Sequence, residues 1–189
     1  MKKIISLFQR NYEGDRLVRN EVVPGAEWVI AGEGVATRKW DGTPCLFQGG
    51  QWFKRYDVKK GRSVPVDAIP CQDPDPVTFH WPHWIPVSGS PEDKWIKEAA
   101  LQVTDASDGD TYEAIGPKIN GGNDGYPKDS HVMAKHGNVE FRDCPRDFKG
   151  LKEWFTKWDG VEGIVWHHPD GRMVKIKRKD FGLPWPVGN

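Results

Sequence analysis

The sequence of 189 residues contains little cysteine, no excess of either charge and no long apolar stretch. Its three cysteines, Cys45, Cys71 and Cys144, are too few and too scattered for the disulfide framework of a small secreted domain. No run of about 18 apolar residues is present, and residues 1–10 are too short and too polar for a secretory signal. We therefore expect an intracellular, cytoplasmic protein with no membrane-spanning segment.

The chain also lacks a charge balance suited to coating nucleic acid by bulk electrostatics. Lysine and arginine number 27 and aspartate and glutamate number 27, so the formal net charge is zero. Zinc binding is not expected either, because His80 and His83, with Cys71 nearby, have no second ligand pair at the usual spacing. These absences leave room for a local basic surface and for metal binding by carboxylates.

Aromatic residues and turn formers are abundant. Ten tryptophans and eight phenylalanines offer large buried areas, while 21 glycines and 15 prolines favour short strands over a helical bundle. The length suits one domain with its own core. We therefore predict a single α+β domain spanning residues 1–189.

Local patterns predict a set of short strands and two helices. A Gly-Gly turn at Gly49 and Gly50 predicts a hairpin between residues 45–48 and 51–56. Further strands are predicted at Glu27–Ile30, Val35–Lys39, Thr111–Ile115 and residues 139–142. Residues 64–89 are interpreted as a long ordered loop packed by tryptophans, with room for short strands. One helix is predicted to begin after Ser90, with proline at its first position, and the other carries the apolar stripe Leu151, Trp154, Phe155 and Trp158.

A hairpin near the C-terminus brings charged side chains together. If residues 168–171 form a four-residue loop, His167 faces Arg172 and paired residue numbers sum to about 339. In that register Glu162 lies opposite Lys177. The period of two then places Glu162, Lys175 and Lys177 on the same face, where one carboxylate meets two ammonium groups.

Lys39 is a candidate nucleophile. It ends a predicted strand and is followed by Trp40, Asp41 and Gly42, the last of which permits a tight turn. A lysine must lose its proton to attack, and an ordinary pKa of about 10.4 makes that rare at neutral pH. Cationic neighbours and a bound metal favour the neutral amine, so nearby basic residues would activate Lys39. Alone, Lys-x-Asp-Gly is more often a surface lysine before a strand-end turn.

Four short motifs that follow one another along the chain indicate more about Lys39 than its own motif does. They are Lys-Trp-Asp-Gly at residues 39–42, Tyr-Glu-Ala-Ile-Gly at 112–116, Val-Glu-Gly-Ile-Val at 161–165 and Lys-Ile-Lys at 175–177. The series resembles motifs I, III, IV and V of the covalent lysyl-nucleotidyltransferases, the superfamily of polynucleotide ligases and mRNA capping enzymes. Residues 38–45, 54–57 and 162–182 look most like the small vertebrate-type RNA ligases that join 5′-phosphate to 3′-hydroxyl ends. The resemblance covers about residues 30–185.

The resemblance implies a minimal nucleotidyltransferase fold, two antiparallel sheets flanked by helices. It also implies RNA repair by ATP-dependent ligation, with Lys39 attacking the α-phosphate of ATP and holding AMP as a covalent intermediate. The nucleotide-binding residues would be Arg38, Arg55, Glu113, Lys175 and Lys177. Magnesium or manganese would be held, through its water shell, by Asp41, Glu113 and Glu162. Such a transfer depends on positioning and on charge neutralisation, to which these residue types are suited.

One feature departs from DNA ligases and capping enzymes. In those enzymes an OB-fold domain usually follows motif V, whereas only twelve residues follow Lys177 here. We therefore expect no OB-fold domain and favour a minimal ligase, which leaves open how the leaving pyrophosphate is oriented.

The expected partner is RNA with 5′-phosphate and 3′-hydroxyl ends, and a monomer with no membrane partner is expected. Two basic clusters are interpreted as a surface for the RNA backbone. They comprise Lys54, Arg55, Lys59, Lys60 and Arg62, and then Arg172, Lys175, Lys177, Arg178 and Lys179. The alternatives are another lysyl-nucleotidyltransferase, joining DNA or using GTP, and a nucleotide- or RNA-binding module without catalysis.

Overall fold

The structure is a computed structural model that describes residues 2–76 and 79–186. Its internal contacts divide the chain into two compact units. The six-stranded unit comprises Met1–Lys3 and Asp41–Lys135, and the four-stranded unit comprises Ile4–Trp40 and His136–Asn189. The expected single domain stays a prediction. None of the helices in the described residues has the length and apolar character needed to cross a membrane.

The four-stranded unit contains two sheets. Among the described residues its strands are β1 (Ile5–Ser6), β2 (Phe8–Arg10), β3 (Val18–Val22), β4 (Val35–Lys39), β11 (Gly163–His167) and β12 (Met173–Lys177), four of which form the sheet that gives the unit its name. The larger sheet has the order β1-β12-β11-β4, and β2 pairs with β3 separately. The core beneath the larger sheet includes Trp166, Ile164, Val174 and Ile176, which are fully buried. Since these residues alternate along β11 and β12, the opposite face of that hairpin carries Val165, Lys175 and Lys177.

The six-stranded unit contains one antiparallel sheet. Its strands are β5 (Thr43–Gln48), β6 (Gln51–Val58), β7 (Ile69–Pro70), β8 (Trp81–Pro86), β9 (Thr111–Ile115) and β10 (Val132–Lys135). Their order is β10-β9-β5-β6-β8-β7. A smaller core includes Cys45, Ile96, Ala114 and Ile119. The strand β9, which carries Glu113, therefore lies inside this sheet, between β10 and β5.

In the part of the chain that the structure describes, the α-helices are α1 (Glu27–Ile30), α2 (Lys94–Ala100) and α3 (Phe148–Lys157). Short 3₁₀ helices cover Pro91–Asp93, Asn120–Gly122 and Arg178–Phe181. The carboxylate of Asp147 caps α3 by accepting a hydrogen bond from the Gly150 amide. Leu151 and Phe155 of the predicted apolar stripe are buried and Trp154 is half-buried, whereas Trp158 follows the helix and is exposed.

Many of the predicted elements are confirmed. The α+β class, the strands Val35–Lys39 and Thr111–Ile115, the Gly-Gly hairpin and both predicted helices are present. Two predictions were wrong. Glu27–Ile30 is helical, because Trp28 and Val29 are both buried, whereas a strand would point neighbouring side chains to opposite faces. Residues 139–142 form only one isolated bridge among the described residues, Thr37 to Glu140. The loop predicted at 64–89 contains the short strands β7 and β8, as the prediction allowed, with residues 77 and 78 outside the described residues.

The expectation of two antiparallel sheets is correct only in part. The six-stranded sheet is antiparallel throughout, but β1 pairs with β12 in parallel. The four-stranded sheet is therefore mixed, and the β2–β3 pair forms a third, two-stranded sheet.

The predicted register of the C-terminal hairpin was wrong by one residue. His167 pairs with Met173 and Gly163 pairs with Lys177, so paired numbers sum to about 340. The His168 amide donates to the Arg172 carbonyl at 2.9 Å, which leaves a three-residue loop. Gly171 supplies the positive φ of 91° that such a loop needs after its turn. Glu162 lies just before β11 and is therefore not directly opposite Lys177. Its carbonyl instead accepts a hydrogen bond from the Arg178 amide.

Candidate active site

Lys39 and Lys177 are joined by the carboxylate of Glu162 in the four-stranded unit. The Lys39 Nζ lies 2.5 Å from Glu162 Oε2, and the Lys177 Nζ lies 2.9 Å from Oε1. The Glu162 side chain is buried, with 7% of its surface exposed, whereas Lys39 and Lys177 retain 21% and 33%. The predicted meeting of Glu162 with a lysine of β12 is therefore confirmed, and Lys39 joins them.

Backbone pairing produces this arrangement. Gly163 at the start of β11 pairs with Lys39 on β4 and with Lys177 on β12, so all three lie at one level of the sheet. The Arg178 amide donates to the Glu162 carbonyl at 2.9 Å and continues the ladder by one residue. The two lysines flank the strand that Glu162 leads into, and its carboxylate reaches both.

The charges of this cluster are unequal. Lys39 and Lys177 act on the carboxylate of Glu162, and Lys175 interacts with both of these lysines and with the carboxylates of Glu162 and Asp180. Burial alone would raise the pKa of Glu162, but the ammonium groups of Lys39 and Lys177 hold it below its usual value. Burial, with repulsion from Lys177 and Lys39, lowers the pKa of Lys175 to about 8. The cluster suits a negatively charged ligand such as a phosphate.

Arg38 precedes Lys39 on β4. Its amide donates to the Val139 carbonyl at 2.8 Å, and its guanidinium carbon lies 4.2 Å from the centre of the Trp40 ring. Lys39 Nζ also donates to the Trp40 carbonyl at 3.4 Å. Trp40 thus contacts both cations at the end of this strand.

Two residues that support Lys177 were missed by the sequence analysis. The Asp180 carboxylate accepts a hydrogen bond from the Lys177 amide at 2.9 Å and pairs with Arg10. Lys177 precedes the helical turn Arg178–Phe181, and Asp180 is the third residue of that turn. An acid at this position is typical of a capping box, and this pattern could have identified Asp180 from the sequence. No local pattern points to Arg10, because 170 residues separate it from its partner.

In the six-stranded unit, the turn at Gly42 contacts Glu113. The Gly42 amide donates to Glu113 Oε1 at 3.1 Å, and the following strand β5 pairs with β9. A Cβ at Gly42 would lie 2.0 Å from the Ala114 carbonyl oxygen, so this approach requires glycine. Glu113 itself is buried.

Asp41 is held within the same unit by two further residues. Its amide donates to Asp124 Oδ2 at 3.0 Å, and its Oδ1 accepts a hydrogen bond from the Asn120 amide group at 2.8 Å. Asp124 is buried, while Asn120 has a positive φ of 47°. The sequence analysis missed both residues, and the glycines that follow them are the only local sign of an unusual loop.

Two members of the first basic cluster, Lys54 and Arg55, form ion pairs within the six-stranded unit. Lys54 pairs with Glu92 at 3.0 Å and with the buried Asp93. Burial alone would lower the pKa of Lys54, but its hydrogen bonds with Asp93 and Glu92 raise it. Arg55 Nε lies 3.2 Å from Asp57 Oδ1 on the same strand. Lys54 is thus a structural residue of this unit, which corrects its predicted place in a surface for RNA.

Two members of the second basic cluster, Arg178 and Arg172, also bind other groups of the protein. Arg178 is buried and donates to the carbonyls of Phe155 and Trp158, and Arg172 pairs with Asp170 at 2.7 Å. Arg178 therefore holds the fold together, and its predicted contact with RNA was wrong. The cluster members that lie exposed are Lys59, Lys60, Arg62, Arg172 and Lys179.

Metal binding was predicted at Asp41, Glu113 and Glu162. Within residues 2–76 and 79–186, no group of three or more His, Cys, Asp or Glu side chains is arranged to hold a metal ion. Magnesium commonly uses one or two protein carboxylates together with waters and substrate phosphates. The three carboxylates supply the oxygen donors that this ion prefers, so the metal assignment stays a prediction.

Comparison with known proteins gives a consistent family. A family model described as RNA ligase 1 matches residues 89–189, a stretch that includes Glu113, Glu162, Lys175 and Lys177. RNA ligase 1 of Danio rerio is 39% identical over 85 residues, or 42% of this chain and 26% of that protein. RNA ligase 1 of Pongo abelii is 30% identical over 172 residues, which cover 72% of this chain and 53% of that protein.

A third relative, RNA ligase 1 of Rattus norvegicus, is 28% identical over 169 residues, which cover 72% of this chain and 49% of that protein. The alignments with these relatives span about half of their length or less. The family model covers more than half of the chain, and its match contains three of the four motifs. On this basis the chain belongs to the RNA ligase 1 family.

Proposed function

We propose that this chain is an ATP-dependent RNA ligase that seals 5′-phosphate and 3′-hydroxyl ends through AMP bound covalently to Lys39. The observation that carries the proposal is the Lys39–Glu162–Lys177 cluster, found in a chain of the RNA ligase 1 family. A lysine at a strand end, beside one carboxylate and two more lysines, provides both a nucleophile and a site for phosphates. We also propose that the two units form the nucleotidyltransferase fold implied by the motifs.

In the first step, Lys39 Nζ would attack the α-phosphorus of ATP. A nitrogen–phosphorus bond forms, the bond from the α-phosphorus to the bridging oxygen breaks, and pyrophosphate leaves with the bonding electrons. Lys39 loses a proton on the way, and Glu162 Oε2 at 2.5 Å is the nearest acceptor described. Because the neighbouring lysines hold the pKa of Glu162 low, its main contribution is to orient the amine rather than to bind the proton tightly.

Lys175 and Lys177 would contact the α-phosphate and help to guide the leaving pyrophosphate. Both lie on the face of β12 away from the core, and Lys177 is held beside Lys39 by Glu162. Charge builds up on the phosphate oxygens during transfer, and fixed cations stabilise that charge. Arg38, next to Lys39 on β4, is proposed to bind the nucleotide as well.

The six-stranded unit is proposed to contribute three further groups. Glu113, whose carboxylate accepts from the Gly42 amide, would contact the ribose or a metal-bound water. Arg55 on β6 would contact phosphate or ribose. Asp41, oriented by Asn120, follows the nucleophile by two residues and would hold a divalent ion through water.

Magnesium or manganese fits the donors that the chain offers. Asp41, Glu113 and Glu162 provide hard carboxylate oxygens, and we propose that they hold the ion through its water shell. When bound, the ion neutralises phosphate charge during transfer. Glu162 already binds two ammonium groups, so its oxygens occupy a position where positive charge is favoured.

The later steps would transfer AMP to the 5′-phosphate of RNA and then join the 3′-hydroxyl with release of AMP. Exposed cations Lys59, Lys60 and Arg62 follow β6 and are proposed to contact the RNA backbone. Lys60 Nζ lies 4.4 Å from the centre of the Phe79 ring, so an aromatic face accompanies the cations.

Labelling experiments test this function. The protein is incubated with α-labelled or γ-labelled ATP and with magnesium or manganese, and the denatured protein is examined for label. We expect label from the α position alone, with none in Lys39→Ala. Sealing of a nicked RNA duplex should then depend on the same residue.

Three outcomes separate the alternatives. Label from GTP in preference to ATP, or sealing of DNA in preference to RNA, would indicate another lysyl-nucleotidyltransferase. Binding of ATP without an adduct under either metal would indicate a binding module. Label retained by Lys39→Ala would contradict the mechanism.

A further inference from the structure

Asp180 lies directly behind the end of β12. Its side chain is buried, with 5% of its surface exposed, and both carboxylate oxygens are engaged. Oδ2 accepts a hydrogen bond from the Lys177 amide at 2.9 Å, while Oδ1 pairs with the Arg10 guanidinium. The carboxylate therefore binds the backbone of a lysine whose side chain binds Glu162.

The segment that follows Lys177 is fixed on its other side as well. The Arg178 guanidinium donates to the Trp158 carbonyl at 2.7 Å, to the Pro184 carbonyl at 3.2 Å and to the Phe155 carbonyl. Its amide donates to the Glu162 carbonyl at 2.9 Å. The backbone around residues 177 and 178 is thus held by both Asp180 and the chain at Glu162.

Arg10 links Asp180 to a separate sheet. It ends β2, and its Nη1 donates to the Arg16 carbonyl at 2.7 Å while its Nη2 pairs with Asp180. Arg10 thereby fixes the carboxylate against the β2–β3 strand pair. A connected path of hydrogen bonds runs from Arg10 through Asp180 to the Lys177 backbone and then to Glu162 and Lys39.

We propose that Asp180 is a positioning residue that sets Lys177 against Glu162 and the α-phosphate, and that Arg10 holds Asp180 in place. The inference rests on the proposed function, because it assumes that Lys177 contacts phosphate. Transfer reactions depend steeply on alignment, and a displacement of about 1 Å can lower a rate by about 100-fold. Asp180 itself touches no reacting atom and acts through Lys177.

A double-mutant cycle tests this role. The rate of label transfer from α-labelled ATP to Lys39 is measured under single-turnover conditions, at saturating ATP, for Lys177→Ala, Asp180→Ala and the double variant. We expect Asp180→Ala to lower the rate by about 10- to 100-fold. Since the effect passes through Lys177, the double variant should be no slower than Lys177→Ala alone. Losses that multiply in the double variant would overturn the inference.

Two milder variants guard against loss of the fold. Asp180→Asn keeps an acceptor for the Lys177 amide but loses the ionic pair, and Arg10→Gln weakens the pair from the other side. Each should slow transfer less than Asp180→Ala and should show the same dependence on Lys177. If Asp180→Ala does not fold, as judged by circular dichroism, these two variants carry the cycle and the same criterion applies.

Arg19→Ala is the matched control. Arg19 lies on β3 and pairs with Asp15 at 2.9 Å on the surface, so its loss removes an arginine–aspartate pair that does not contact Lys177. Its rate should match that of the wild-type protein. If the wild-type protein forms no adduct at Lys39, the proposed function fails. If it forms the adduct but the losses from Asp180 and Lys177 multiply, this inference alone fails.

Discussion

Lys39 and Lys177 lie at the same level of one sheet, on either side of β11, and bind opposite oxygens of the Glu162 carboxylate. These residues come from positions 39, 162 and 177, so pairing of distant strands rather than local sequence brings them together. The central part of the proposed mechanism depends on this shared carboxylate.

Replacing Glu162 by glutamine should impair both activity and stability. The neutral amide no longer balances two ammonium groups, so Lys39 and Lys177 repel each other. We expect transfer to Lys39 to fall by about 100-fold or more. The free energy of unfolding should fall by about 1.5–3 kcal/mol, the range for hydrogen bonds to charged groups. Single-turnover labelling and urea unfolding measure the two effects.

The stability difference between the wild-type protein and Glu162→Gln should depend on pH. The folded protein holds the pKa of Glu162 below the ordinary 4.5, so its stabilising contribution is present above that pH. The contribution is lost as the pH falls through the folded pKa. Urea midpoints measured from neutral pH downward should therefore converge in acid, and a constant difference would contradict the assignment.

Binding of ATP should weaken as the pH rises through about 8, the pKa of Lys175 in the folded protein. Lys175 is charged below that pH and becomes neutral above it, whereas an ordinary lysine stays charged until about 10.4. The ATP concentration for half-maximal labelling measures this effect. It is determined separately from the maximal rate, which also depends on the loss of a proton from Lys39. Lys175→Arg keeps its charge, so its half-saturation should be flat over this range.

Alanine at position 42 should destabilise the turn that follows Lys39. Its Cβ would lie 2.0 Å from the Ala114 carbonyl oxygen, so the Gly42 amide would move away from Glu113. We expect a loss of about 1–3 kcal/mol in the free energy of unfolding, typical of overpacking. Gly89→Ala is the control, since a Cβ there meets nothing within 4 Å. Equal effects at both positions would contradict the role given to Gly42.

Lys54 should contribute to stability far more than Lys60 does. Lys54→Met leaves the buried carboxylate of Asp93 without its cation, and breaking such a pair costs about 3 kcal/mol. Among the described residues, Lys60→Met loses a contact with the Phe79 ring, for which about 0.5–1 kcal/mol is expected. Thermal and urea unfolding of the two variants compare them directly. Similar stabilities would show that Lys54 is not a structural residue.

Local rules predicted the parts of the fold that local chemistry determines. The Gly-Gly hairpin and the stripe of α3 follow from turn geometry and helical periodicity. Glu27–Ile30 was misassigned because its apolar residues suit a strand by composition, while burial of both Trp28 and Val29 favours one turn of helix. The hairpin register depended on whether the loop had three or four residues, which Gly171 alone did not specify.

The candidate site was predictable where short motifs carry it. Lys39, Glu162 and Lys177 were identified from the sequence, and the structure places them in contact. The supporting residues Arg10 and Asp180 were not, because their roles arise only when β2 and the end of β12 meet. Most lysines and arginines are exposed, and a sequence does not show which of them are buried. Lys54 and Arg178 were therefore wrongly assigned to a surface for RNA.

Peptide mapping of the protein after incubation with ATP and magnesium shows which residue carries AMP. The protein is digested, and mass spectrometry locates any peptide that carries one added AMP. We expect the modification on Lys39 and on no other residue, with acid release of AMP as expected for a nitrogen–phosphorus bond. An AMP group on another residue, or an unmodified Lys39 under conditions where RNA is sealed, would contradict this expectation.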